Sequence, residues 1–229
     1  METSLSRSQT TGVVIPAYNE ADNLHQVLTA GCATNWLKEI IVVDDGSTDA
    51  TFEPAKRFAE CDPRLVVMRL PENQGKAAAM LAGVRALHTD LVIFLDADLI
   101  GLTSFHLEQL RDLQVSGSRE MGIAVFHGLN FINTVSLRLA PNYSGQRCLW
   151  RIEAEEALTP LAHARYGVEA GLNIHAKRHH WEIRKVAWYD VTHQIVWRKR
   201  KGFSSLQNRW QMYRQIWQVR AQEKKNNKR

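Results

Sequence analysis

The chain has 229 residues, 45% hydrophobic and 23% charged, with a net charge of +5, which suits one α/β domain with a full core or one domain plus a tail. No stretch approaches the roughly 20 apolar residues that span a bilayer, and residues 1–12 lack the apolar centre of a signal peptide. Its 3 cysteines, Cys32, Cys61 and Cys148, are odd in number and form no CxxC pair; this argues against a disulfide framework or a zinc site and for a reducing cytoplasm.

Apolar runs alternate with helical patterns from the start. Residues 13–16 predict a first strand closed by Pro16, and 21–32 an amphipathic helix with Leu24, Val27 and Leu28 on its apolar side. A second strand over 40–43 runs into Asp44-Asp45-Gly46-Ser47-Thr48-Asp49, a turn that also offers N-cap residues to a helix over about 50–60. Pro54 is tolerable there only in the first turn. Residues 65–68 predict a third strand, and Asn73-Gln74-Gly75-Lys76 opens an alanine-rich helix over 77–87. The fourth strand, 91–95, leads directly into Asp96-Ala97-Asp98. Beyond it the pattern loosens: a helix from Thr103 to about 115, a strand over 123–126, an acidic helical piece after Arg151, a helix beginning within 166–173, and a strand over 181–186.

This order predicts a doubly wound, mostly parallel sheet with helices on both faces. The first, second and fourth strands each end in polar residues: Tyr18 and Glu20, Asp44 and Asp45, Asp96 and Asp98. Open α/β sheets bind ligands at that edge. Asp96 and Asp98, two apart on extended backbone, project to one side and offer hard oxygens suited to Mg²⁺ or Mn²⁺ on a phosphate. No glycine-rich loop follows the first strand, which argues against dinucleotide-binding and nucleotidyl-transfer readings. His175, His179 and His180 are spaced like a metal site, but no carboxylate accompanies them in a suitable sequence pattern, and the sequence reading excludes one.

Val14-Ile15-Pro16-Ala17-Tyr18-Asn19-Glu20, Val42-Val43-Asp44-Asp45-Gly46-Ser47-Thr48-Asp49, Asn73-Gln74-Gly75-Lys76 and Asp96-Ala97-Asp98 resemble, in order and spacing, the successive signatures of family 2 glycosyltransferases. Ser144-Gly145-Gln146-Arg147 and Tyr166-Gly167-Val168-Glu169 are similar to the acceptor-side half of enzymes related to glucosyl-3-phosphoglycerate synthase and dolichyl-phosphate mannose synthase. The resemblance implies a GT-A fold and inverting transfer of a sugar from a UDP- or GDP-linked donor. The chain then divides into a disordered 1–10, a nucleotide-sugar-binding half 11–100, an acceptor-side half 101–202 of the same domain, and a basic amphipathic C-terminal helix and tail over 203–229.

The resemblance also implies roles. Pro16, Ala17, Tyr18 and Glu20 would line the nucleoside pocket, with Ala97 beside the same donor. Asp45, or Asp44 if the turn is shifted, would accept a hydrogen bond from the base; helix capping is the structural alternative. Gly75 would admit the nucleotide to the backbone, and Lys76 would offset its charge or stand solvated at a helix start. Asp98 and Asp96 would hold Mg²⁺ or Mn²⁺ on the diphosphate, with His193 as third ligand or as a packed histidine. Glu169 would be the general base or simply a first-turn glutamate favoured by the helix dipole; an acceptor phosphate would need no base. Arg147 would contact the acceptor or the diphosphate.

From Arg198 to Arg229 there are eleven Lys/Arg and one acid, so this segment carries +10 and residues 1–197 carry −5. Leu206, Trp210, Tyr213 and Trp217 fall on one helical face, with arginines mainly off it. That pattern suits an anionic membrane surface, or a stripe packed on the domain. It predicts a cytoplasmic enzyme, peripheral at the inner face of the plasma membrane, acting on a hydroxyl or phosphate acceptor that is lipid-linked or membrane-proximal, with no nucleic-acid partner. The competing class is a non-catalytic GT-A-like domain that binds a nucleotide or anchors at the membrane.

Overall fold

A computed structural model describes residues 9–114, 117–127, 144–163 and 167–193. Residues 1–8 and the tail 203–229 lie outside these. Thr10, expected in a disordered N-terminus, is instead tied to Asp90: its N–H and hydroxyl both donate to Asp90 Oδ2, at 2.9 and 2.7 Å.

Among the described residues, seven strands form one sheet. Strands β1 (Thr11–Ala17), β2 (Glu39–Asp44), β3 (Leu65–Arg69) and β4 (Leu91–Phe94) are parallel, with β1 between β2 and β4. Val13, Val14 and Ile15 are fully buried, as the unbroken apolar run requires of a strand covered on both faces. Alternation divides them: Val13 and Ile15 join Val42, Leu91 and Ile93 in one core layer, while Val14 joins Ile41, Val43, Val92 and Phe94 in the other. Helices α1 (Leu24–Cys32) and α2 (Phe52–Cys61) cover the first face, and α3 (Lys76–Ala86) the second. Pro54 sits in the first turn of α2, where its missing N–H costs nothing.

The second half completes the sheet in a different sense. After the two-residue strand β5 (Leu99–Ile100) comes α4 (Ser104–Arg111), whose N-cap Thr103 receives its neighbour's imidazole: Thr103 N–H donates to His106 Nδ1 at 3.1 Å. Strand β6 (Glu120–Phe126) pairs with β7 (Arg147–Trp150), and β7 inserts antiparallel between β6 and β4. Helices α5 (Arg151–Leu158) and α6 (Val168–Arg178) pack on the α3 side, and β8 (Glu182–Trp188) closes the sheet edge parallel to β6. The sequence pattern assigned no element to 147–150, because four residues led by an arginine carry no periodicity. A separate antiparallel ribbon joins β5 to β9 (Thr192–His193), placing His193 opposite Leu99.

Candidate active site

Strands β1, β2 and β4 end at one edge, and a cleft of about 570 Å³ opens there. β1 brings Pro16, Ala17, Tyr18 and Glu20 to its wall; Tyr18 is 43% exposed, so its ring stands at the rim. Asp45, Gly75 and Lys76 form the middle, and Asp96, Ala97 and Asp98 the far side, facing Glu169 and His193. Twelve of the residues expected at the site therefore share one cavity. Asp44 and Arg147 are not among its lining residues.

The two neighbouring aspartates have different tasks. Asp44 is fully buried; its Oδ1 accepts the Ser47 N–H at 2.8 Å and its Oδ2 lies 3.2 Å from Arg69 Nε. It holds the turn and does not face the cleft. Asp45 accepts the Gln74 and Gly75 N–H groups, at 2.8 and 2.9 Å, and burial pushes its pKa up against the pull of those two donors. Neither aspartate caps α2. The N-cap is Thr51, and Asp49, just ahead of the helix, accepts the Thr51 N–H at 3.0 Å. Gly75 takes φ 99°, a conformation that a side chain would strain, and starts α3 with Lys76 aimed into the cleft.

Charge is concentrated at Lys76. Its Nζ donates to Asp96 Oδ1 at 2.5 Å and Glu169 Oε1 at 2.7 Å. Burial opposes its charge, yet the two carboxylates outweigh burial and raise its pKa. The same balance lowers Asp96 to about 2: burial acts upward, Lys76 and His193 act downward and win. Gln146 Nε2 donates to the other oxygen of Asp96 at 2.8 Å. His193 Nδ1 lies 2.9 Å from Asp98 Oδ1, and its pKa is raised, the nearby carboxylates outweighing burial. One ligand atom each from Asp96, Asp98 and His193 lie within 4.8 Å of one another. Two hard carboxylates and an imidazole fit Mg²⁺ or, better, Mn²⁺.

The sequence model of Glycosyl transferase family 2 matches residues 12–118, from β1 through the Asp96–Asp98 turn. These residues, a little under half of the chain, resemble a family 2 glycosyltransferase domain. Within it, 94 residues are 40% identical to the undecaprenyl-phosphate 4-deoxy-4-formamido-L-arabinose transferase of Salmonella paratyphi A, covering 38% of this chain and 28% of that protein. The transferase of the same name from Edwardsiella ictaluri is 42% identical over 96 residues, covering 40% of this chain and 30% of that protein. The chain thus spans under a third of the length of these curated relatives. Among solved structures, the fold matches glucosyl-3-phosphoglycerate synthase from Mycobacterium tuberculosis in complex with Mg²⁺ and uridine-diphosphate. The TM-score is 0.66 at 24% identity, over 91% of this chain and 77% of that one. The Mn²⁺, uridine-diphosphate and phosphoglyceric acid complex of that synthase matches equally well, at 0.66 and 24%.

Past the matched residues, the segment 144–147 supports the cleft from behind. Arg147, expected to contact acceptor or diphosphate, is instead 0% exposed. Its Nε donates to Ser144 O at 2.9 Å, and its Nη1 and Nη2 to Asn173 Oδ1 at 2.8 Å and Glu169 O at 3.3 Å. Burial lowers its pKa to about 10, against the nearby Glu169 and Asp96 charges. It braces β7 against α6, a positioning task that its place in the Ser144–Arg147 motif does not reveal. Gly145 and Gln146 are site residues that side-chain chemistry alone did not single out. A Cβ built on Gly145 would stand 2.5 Å from Asp96 Oδ2, so only glycine lets this backbone reach the carboxylate.

Proposed function

We propose that this protein is a metal-dependent glycosyltransferase that moves a sugar, with inversion, from a nucleotide-diphosphate donor to a phosphate-bearing, lipid-linked acceptor. The observation that carries the reading is the meeting of Asp96, Asp98 and His193 with Lys76 in the cleft that also holds Tyr18 and Asp45. Tyr18 offers an aromatic face at the rim for a base, and Asp45 fixes the Gln74–Gly75 backbone beside it. Asp98, Asp96 and His193 would hold Mg²⁺ or Mn²⁺, which when bound supplies Lewis-acid stabilisation of the departing diphosphate. Lys76 adds a fixed positive charge on the same side.

The acceptor class follows from Glu169. Burial acts to raise its pKa, but Lys76 outweighs burial and the net shift is downward. A carboxylate so held is a poor base for a hydroxyl proton. A phosphate oxygen is already ionised at neutral pH and needs none. The curated relatives are named for transfer to undecaprenyl phosphate, which supports the same choice. No helix among the described residues is long and apolar enough to cross a membrane. The net charge of +10 from Arg198 to Arg229 and the aromatic face of Trp210, Tyr213 and Trp217 support contact of the segment 203–229 with an anionic lipid surface.

Incubation of the full chain with Mn²⁺, labelled UDP- or GDP-sugars, and either undecaprenyl phosphate or phosphoglyceric acid tests the reading. Metal-dependent transfer to the lipid phosphate, with an inverted anomeric centre by NMR, is the expected result. Transfer to the hydroxyl acceptor alone would reassign the acceptor, and absence of transfer to any acceptor, despite metal-dependent binding of a nucleotide diphosphate, would leave the non-catalytic reading. One observation bears on that second reading: Lys76 pairs with the carboxylate that a catalyst acting on a hydroxyl acceptor would use as base.

A further inference from the structure

The spacing of His175 and His179 places both on one side of α6, His175 in its last turns and His179 as its C-cap. Their rings stack at 4.1 Å with an interplanar angle of 20°. What the sequence did not supply, the fold does: Glu156 comes from α5, the helix packed beside α6. One ligand atom each from Glu156, His175 and His179 lie within 4.8 Å of one another.

We propose that Glu156, His175 and His179 form a second metal site, remote in kind from the cleft, that takes Zn²⁺ or a similar borderline divalent transition ion. Two observations support it beyond the cluster itself. His175 Nε2 is buried without a hydrogen-bond partner among the described residues, an expense that a ligated or bonded nitrogen avoids. Trp181 meets the His175 ring edge-on at 5.0 Å and restricts how it can turn. Zinc bonds of about 2.0–2.1 Å place tetrahedral ligand atoms roughly 3.3 Å apart. Glu156 and His179 are both exposed, so closing from the present spacing needs only side-chain rotation on a fixed His175.

The donor set separates this site from the cleft. Two imidazoles and one carboxylate leave a fourth position for water and select a borderline ion, whereas the Asp96, Asp98 and His193 set is richer in hard oxygen and accepts Mg²⁺. The bound ion ties α5 to the C-terminal end of the helix whose first turn carries Glu169.

The test is a Zn²⁺ titration of the chelator-treated full chain by calorimetry in excess Mg²⁺, run alongside Asp98→Asn, which weakens the Asp96, Asp98 and His193 set so that Zn²⁺ entering the cleft is read separately. Wild type is expected to bind one equivalent of Zn²⁺ and to gain thermal stability from it. His179→Ala and Glu156→Gln, both at exposed positions, are expected to weaken Zn²⁺ binding at least tenfold and abolish the gain, with unchanged melting in chelator. Asp98→Asn should retain both, so failure here is distinguishable from failure of the proposed activity. Equal Zn²⁺ affinity in wild type, His179→Ala and Glu156→Gln, or no binding in wild type, would overturn the proposal.

Discussion

His193 Nδ1 stands 2.9 Å from Asp98 Oδ1, although 95 positions separate them, because the β5–β9 ribbon pairs Leu99 with His193. The ribbon makes that contact although each of its strands is only two residues long. Removing either partner has distinguishable consequences. Asp98→Asn takes away a charged ligand and should reduce metal-dependent transfer by about 10²-fold or more, the scale of losing a main electrostatic element of a transition state. His193→Ala leaves both carboxylates and should raise the half-saturating Mn²⁺ concentration on the order of tenfold, with maximal turnover less affected. Metal titrations of turnover check both; identical titration curves for His193→Ala and wild type would remove His193 from the ligand set.

Gly145→Ala probes the back of the same carboxylate. The added methyl would meet both Asp96 oxygens at 2.5–2.6 Å, so the carboxylate must turn away from Gln146 and Lys76. The fold has little reason to suffer, since the clash is with a side chain. Turnover should fall steeply, with metal affinity reduced, while the thermal midpoint moves by only a few degrees. Wild-type turnover in this variant would mean that Asp96 is free to relocate without cost.

The parallel half was legible because its physics is local. Val13 to Ile15 and Ile40 to Val43 are apolar without interruption, as doubly covered strands must be, and the acids at their ends mark the ligand edge. Legibility fails where contacts join distant short pieces. The two-residue ribbon that delivers His193, the arginine-led strand β7, and the Glu156 partner of His175 leave no periodic trace. Arg147 shows a different failure. As the last residue of the Ser144–Arg147 motif it reads as a ligand contact, and only its complete burial reveals a brace.

Arg147 also makes a stability prediction. Its guanidinium is buried with Ser144 O, Asn173 and Glu169 O as acceptors, so Arg147→Met strands those acceptors in the interior. The loss should be about 3 kcal/mol by urea denaturation, the scale of breaking a buried charged network from one side. Arg147→Lys should recover only part of it, since an ammonium cannot reproduce the planar fork. Full recovery by lysine would show that charge alone, without bidentate geometry, holds β7 to α6.

Acid lability is predicted outside the cleft, at Asp62. Hydrogen bonding to Arg64 lowers its pKa from 3.8 to about 2, and Arg64 in turn donates to the carbonyls of Cys32, Thr34 and Leu37. Because the folded pKa lies below the ordinary one, the stabilisation is complete above about pH 3.8 and lost as pH falls towards 2. Its size follows from the shift, about 2 kcal/mol at neutral pH, with Asp62 only 12% exposed. Asp62→Asn should therefore be less stable than wild type by that amount at pH 7, with the gap closing between pH 4 and 2. Urea denaturation across this range measures it. A gap that stays constant down to pH 2 would show that the carboxylate's charge is irrelevant and that Arg64 is held by its three carbonyl partners alone.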